Sequence, residues 1–198
     1  MNVKVLEIWI GEHRAGILFQ YAPKGAPTVN RFVADQTLIT NAAAPTVSLS
    51  YIAETREDQA LMWQDYRSPI FNGQLSKDRQ TWLLPAFFQN LLPEGAFRDQ
   101  LAQMRACAPN DHFELLAACG RDLPGNIQAQ PAQLSPQELG MYVTPNEDAL
   151  EMTVTAEPMD DGVSLSGVQP KLGVLKDNDR YVGRTKDQDT HIIAKLPV

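Results

Sequence analysis

Residues 3–21 read VKVLEIWIGEHRAGILFQY, and their pattern decides how the chain that follows is to be divided. A short run rich in β-branched residues meets the turn-like GEHRAG at 11–16, and a second apolar run, ILFQY, comes directly after it. Two such runs around a glycine-bearing turn predict a β-hairpin. Lys4 and Glu7 interrupt the first run, so it has neither the continuous apolar segment nor the small-residue cleavage site of a signal peptide.

Working outward, PKGAP at 23–27 marks another turn, and TVNRFVA (28–34) and TVSLSYIA (46–53) both have strand composition. A β-rich unit is therefore expected over residues 1–55, whereas the polar stretch 54–79 carries no clear pattern. The period then changes. Leu83, Leu84, Phe87, Phe88, Leu91 and Leu92 recur at helical spacing, PEG at 93–95 breaks the run, and Phe97, Leu101 and Met104 resume it. PNDHFELLAACG (109–120) adds another helix, with Asn110 or Asp111 as N-cap and Gly120 as a C-terminal glycine tolerant of a left-handed backbone. SPQE at 135–138 and TPNE at 144–147 read as capping boxes, each starting a short helix.

The last part returns to strands. KLGVLK, RYVGR and THIIAKLPV alternate with turn residues and predict three antiparallel strands entered from SLSGVQP. The fold class is α+β. Residues 1–130 form one unit (β-rich 1–55, helical 80–120), 131–162 an acidic connector with short helices, and 163–198 a second β unit. With 198 residues and 43% hydrophobic content, the chain can bury a core of its own.

Charge narrows the function classes. The net charge is -7, and no Lys or Arg occurs between Arg121 and Lys171, which argues against direct binding to nucleic acid or an anionic membrane. From residue 163 onward the balance reverses, with Lys171, Lys176, Arg180, Arg184, Lys186 and Lys195 against four acids. No apolar run approaches the roughly 20 residues of a membrane span, and two cysteines without an export signal suit a reducing cytoplasm. Cys107, His112 and Cys119 lack the spacing and the fourth ligand of a zinc site, so no metal site is assigned. Arg121 and Asp122 in GRDLPG read as a helix end tying a turn, since a kinase catalytic Arg-Asp pair belongs after the phosphate loop and needs a downstream Asn. Trp9, Trp63 and Trp82 read as packing residues.

The basic segment opens on SLSGVQPKL, 164–172. Backbone N–H groups can surround phosphate oxygens only where side chains are small, and a lysine on a following strand can pair with the α- and β-phosphates. Ser164, Ser166 and Gly167 supply the small residues, and Lys195 the charge. A plain β-turn followed by a solvated strand lysine fits the same residues.

Four fragments, FFQNLLPEG with Arg98 close behind, CGRDLPGNI, SLSGVQPKL and THIIAKLP, occur in the order and approximate spacing of the HipA-type serine/threonine kinase toxins of bacterial toxin–antitoxin systems, which the chain resembles from about residue 46 to its end. The resemblance implies a kinase-like N-terminal lobe with an extra β-plus-helix subdomain. It implies ATP contacts from Ser164, Leu165, Ser166, Gly167, Val168 and Lys195, and marks Ser164 as the autophosphorylation candidate. A phosphate there would place nearly two negative charges where the ATP phosphates sit. Ser166 stands where the family commonly has alanine or another small residue. Ala194 is one residue more than the family's HII-K-LP pattern, so either His191 is displaced or a bulge absorbs it.

The family's catalytic acid and Mg²⁺ ligands lie well beyond the strand lysine. The expectation is that these 198 residues bind nucleotide weakly at most and transfer no phosphate alone, ATP and Mg²⁺ being cofactors of the intact protein. The resemblance further implies a protein Ser/Thr substrate such as an aminoacyl-tRNA synthetase, and a helix-turn-helix antitoxin through which DNA is contacted. The competing reading is a non-catalytic module that docks to a separate kinase half or antitoxin.

Overall fold

A computed structural model of the chain describes residues 2–21, 28–64, 68, 70–74, 83–135, 137–139, 151–152, 158, 171–178, 180–183 and 192–195. β1 (Asn2–Ile10) and β2 (His13–Tyr21) form the expected hairpin, turning at Gly11 and Glu12. Gly11 has φ +58°, a left-handed backbone that costs glycine little, and its N–H donates to the Asn126 carbonyl. β3 (Val29–Ala34) continues the sheet antiparallel to β2. The other edge of β1 is shared: β4 (Ile127–Pro131) pairs antiparallel along Leu6–Ile10, and the two-residue β5 (Glu151–Met152) pairs parallel at Asn2 and Val3. β1 is thus an interior strand of a sheet ordered β3-β2-β1-β4.

Strand alternation sorts the apolar residues onto two faces. Leu6, Ile8, Leu18 and Phe32 enter the main core, while Val3, Val5, Ile17 and Phe19 form a smaller cluster closed by Leu139. A register shift between Ile8 and Trp9 lets the extra residue, Ala15, turn into the main core.

Helices cover that main face. α1 (Gln36–Thr40) starts at Asp35, whose carboxylate accepts from the Thr37 N–H. α2 (Arg56–Gln64) lies within the polar stretch that had no readable pattern. α3 (Ala86–Gln89) is a single turn, α4 (Gly95–Arg105) an eleven-residue helix, and α5 (His112–Ala118) begins at Asp111, which caps the Glu114 N–H at 3.1 Å. Ser135 and Glu138 make the reciprocal bonds of the expected capping box, at 2.9 and 3.3 Å. The second box, at 144–147, lies outside the described residues.

An aromatic cluster ties helices to sheet. Phe32 meets Phe88 at 5.1 Å between ring centroids, and Tyr51 stacks on Trp63 at 5.9 Å. The Tyr51 hydroxyl donates to the Ile70 carbonyl at 2.8 Å, which satisfies the polar end of a buried ring. Between β1 and the helices, Lys4 Nζ and Arg105 Nε both donate to Glu114, at 2.7 and 3.4 Å.

Three sequence expectations change. TVSLSYIA is not a strand: Leu49–Tyr51 is a 3-10 turn opened by Ser48, whose Oγ accepts from the Ser50 N–H, and Tyr51 faces the core. The helix expected over 83–92 is confined to Ala86–Gln89, because Pro85 lies in an extended conformation and Leu91 and Leu92 occupy the turn that follows. Gly120 is not left-handed. A Cβ there would lie 1.9 Å from the Ala129 carbonyl oxygen, so the residue is glycine because β4 passes against it.

The expected C-terminal strands are present as β6 (Lys171–Asp177), β7 (Arg180–Gly183) and β8 (Ile192–Lys195), all antiparallel and ordered β7-β6-β8. No helix among the described residues is long and apolar enough to cross a membrane.

Candidate functional site

The register of this three-stranded sheet determines what the C-terminal segment can do. β8 runs against β6 with Val174 opposite Ile192, Gly173 opposite Ile193, Leu172 opposite Ala194 and Lys171 opposite Lys195. Ala194 is therefore an ordinary strand residue, and no bulge interrupts β8 between Ile192 and Lys195. His191 lies outside the described residues.

Cross-strand partners share a face, and residues two apart on one strand do so too. Lys195 shares its face with Ile193, and the backbone register puts the Lys171 and Gly173 positions on that face as well. Ile193 is 58% exposed and Lys195 is exposed, whereas Val174, on the opposite face, is only 7% exposed. The open face thus carries two lysine positions at one end of the sheet, with a glycine beside them.

β6 begins at Lys171, immediately after the segment that contains the other candidate residues. Ser164, Leu165, Ser166, Gly167 and Val168 lie outside the described residues, so of the candidate ATP contacts only Lys195 is placed. In the sequence Lys171 stands out only as the first cation of the basic segment and as part of the 164–172 motif. The signal that singles it out is antiparallel pairing of KLGV with IIAK across the intervening hairpin.

The other constellations resolve into structure. Cys107 and Cys119 are free thiols, and no group of three potential metal ligands occurs among the described residues. Burial pushes the Cys107 thiol up, with the charges of Asp111 and Glu114 adding to it, which disfavours a reactive thiolate. His112 is 9% exposed, and its Nδ1 has no hydrogen-bond partner among the described residues. Burial, with Arg98 adding to it, lowers its pKa to about 4, so the ring is neutral at pH 7. Asp122 closes the turn after α5 by donating its N–H to the Cys119 carbonyl at 2.8 Å. Trp63 belongs to the aromatic cluster.

A second feature was not anticipated. Between α1 and α2 lies a cavity of about 220 Å³ walled by Leu38, Ile39, Val47, Tyr51, Ile52 and Trp63, and a smaller one of about 90 Å³ adjoins it at Ile39 and Trp63. The sequence signal for it is slight, since Trp63 stands in a helix whose other residues are mostly polar.

Residues 6–130 match the family described as HipA N-terminal domain. That segment runs from the middle of β1 almost to the end of β4, which is the sheet-and-helix body and not the β6–β8 sheet. The chain is also 36% identical over 103 residues to "Putative kinase Y4dM" of Sinorhizobium fredii (strain NBRC 101917 / NGR234). This similarity spans 52% of the chain and 23% of that relative, so it reaches less than a quarter of the relative's length.

Proposed function

Because this chain belongs to the HipA N-terminal domain family, we propose that it supplies part of the nucleotide-binding lobe of a HipA-like protein kinase. In this reading the backbone of Ser164, Leu165, Ser166, Gly167 and Val168 surrounds the ATP phosphates. Lys195, with Lys171 beside it in the register, neutralises their charge. The observation that carries the reading is the opposed pair of lysine positions on the open face of β6 and β8, at the end of the sheet that the 164–168 segment enters. In the intact protein Mg²⁺ would add to the neutralisation of the phosphate charge.

Phosphorylation of Ser164 would bring nearly two negative charges to the same place and compete with ATP for the lysines. The intact kinase is proposed to modify a protein serine or threonine, with a translation component such as an aminoacyl-tRNA synthetase as the expected class of target. A helix-turn-helix antitoxin is the proposed partner. Its contact with DNA would compensate for the acidity of this chain.

Titration of the 198-residue chain with ATP, followed by amide chemical shifts, tests the reading. Weak binding is expected, with the largest changes at β6, β8 and the 164–168 segment, and Lys195→Ala should abolish them. Changes that map elsewhere, or that survive Lys195→Ala, would refute it. A parallel assay with γ-labelled ATP should show no phosphotransfer by the chain alone.

A further inference from the structure

We propose that the groove between α1 and α2 is a docking site for an extended segment of a partner protein that presents apolar side chains flanked by lysine or arginine. The groove's size selects the kind of occupant. Its larger cavity, about 220 Å³, falls below the roughly 300–1,000 Å³ of small-molecule pockets. The smaller one, about 90 Å³, shares Ile39 and Trp63 with it. Two cavities of unequal size that share wall residues suit two side chains of one peptide, which is how extended peptides are read when alternate residues enter neighbouring pockets.

The walls are set before any ligand arrives. Tyr51 and Trp63 stack within 15° of parallel. Gln59 accepts from the Ala53 N–H and donates to the Tyr51 carbonyl, both at 2.9 Å, so this lining polar group is already engaged in holding the wall. Recognition is left to apolar contact and charge. Neither α1 nor α2 has a fully buried residue, and Ile52 on the groove wall is 52% exposed.

Charge decides the partner's chemistry. Residues 35–64 contain Asp35, Glu54, Glu57 and Asp58 against a single cation, Arg56, and Arg31, which lines the smaller cavity, donates its Nε to Asn72 Oδ1 at 2.8 Å. Asp35 is paired with Arg14 at 2.7 Å, whereas Glu54, Glu57 and Asp58 are exposed around the start of α2. An apolar groove beside exposed carboxylates favours a basic segment and repels an acidic one. The proposal does not depend on the nucleotide reading, because it uses residues 31–71 and none of the 164–195 segment.

The test is a selection of phage-displayed random 12-residue peptides on the 198-residue chain, followed by fluorescence titration of the synthesised winners. Winners should carry apolar residues two apart, flanked by Lys or Arg. Ala42→Trp, which fills the larger cavity from an exposed position, and Ile52→Glu should each weaken them at least tenfold. Glu57→Lys with Asp58→Lys should weaken them about fivefold at low salt, and Lys195→Ala should leave them unchanged. Unchanged circular dichroism certifies each variant as folded. Failure to enrich any peptide, winners without basic residues, or binding indifferent to both Ala42→Trp and Ile52→Glu would overturn the proposal.

Discussion

Replacing Gly120 by alanine tests the packing of α5 against β4 at a single atom. The Gly120 carbonyl accepts the Ala129 N–H at 2.8 Å, and an added Cβ would stand 1.9 Å from the Ala129 carbonyl oxygen and 3.2 Å from that of Ala117. Both obstacles are backbone, so no rotamer change relieves them, and β4 must move away from the end of α5. Overpacking of this kind costs about 1–3 kcal/mol, and weakening the Ala129–Gly120 hydrogen bond adds about 1 kcal/mol. Gly125→Ala is the control. It has φ +78° and nothing within 4 Å of an added Cβ, so it incurs only the left-handed backbone cost of about 1–2 kcal/mol.

In a chain of this length each kcal/mol moves the melting temperature by about 2–4 °C. Gly120→Ala should therefore melt roughly 4–16 °C below the parent, and Gly125→Ala roughly 2–8 °C below it. Urea unfolding followed by tryptophan fluorescence gives the same comparison in free energy. If Gly120→Ala is no worse than Gly125→Ala, the close approach of β4 to Gly120 is wrong, and the residue is glycine for its backbone after all.

Further outcomes are expected. The lowered pKa of His112, about 4 against 6.5, means the unfolded chain takes up a proton first as pH falls. Its contribution to stability is present above pH 6.5 and is lost down to pH 4, about 1–2 kcal/mol after allowance for solvent screening. Urea midpoints at pH 7 and pH 4.5 measure the loss, and His112→Phe should shrink the difference. Phe88→Ala removes a fully buried ring that meets both Phe32 and Phe87 and should cost about 3–5 kcal/mol, read from the same unfolding curves. Lys4→Met should cost less than about 1 kcal/mol, because Glu114 keeps Arg105 and the Lys4–Glu114 pair is partly solvated. A loss above 2 kcal/mol would show that pair to be structural.

What the sequence announces is what neighbouring residues decide among themselves. The hairpin at 3–21, the cap at Asp111, the box at Ser135 and the strands around Asp177 each rest on contacts a few residues apart, and each is found in the structure. β4 was missed because IQAQP has little strand composition, and its pairing comes from Leu6–Ile10, more than a hundred residues earlier. α2 was missed because none of its residues is fully buried, which leaves a weak apolar stripe. TVSLSYIA misled because β-branched composition does not reveal that Ser48 will open a tight turn or that Tyr51 will anchor an aromatic cluster. In the candidate site, Lys195 is singled out by its motif, whereas the position of Lys171 opposite it needs the register.

The interior position of β1 has a consequence for how the protein is made. Residues 2–10 leave the ribosome first, yet their outer edge gains its long partner only when residues 127–131 have followed. At roughly 5–20 residues per second the nascent hairpin waits on the order of 6–25 s with a row of unsatisfied amides and carbonyls. Such an edge recruits strands from neighbouring chains, so crowded synthesis is where this protein is most exposed to misassembly, and slowing translation before codon 131 should lower its soluble yield.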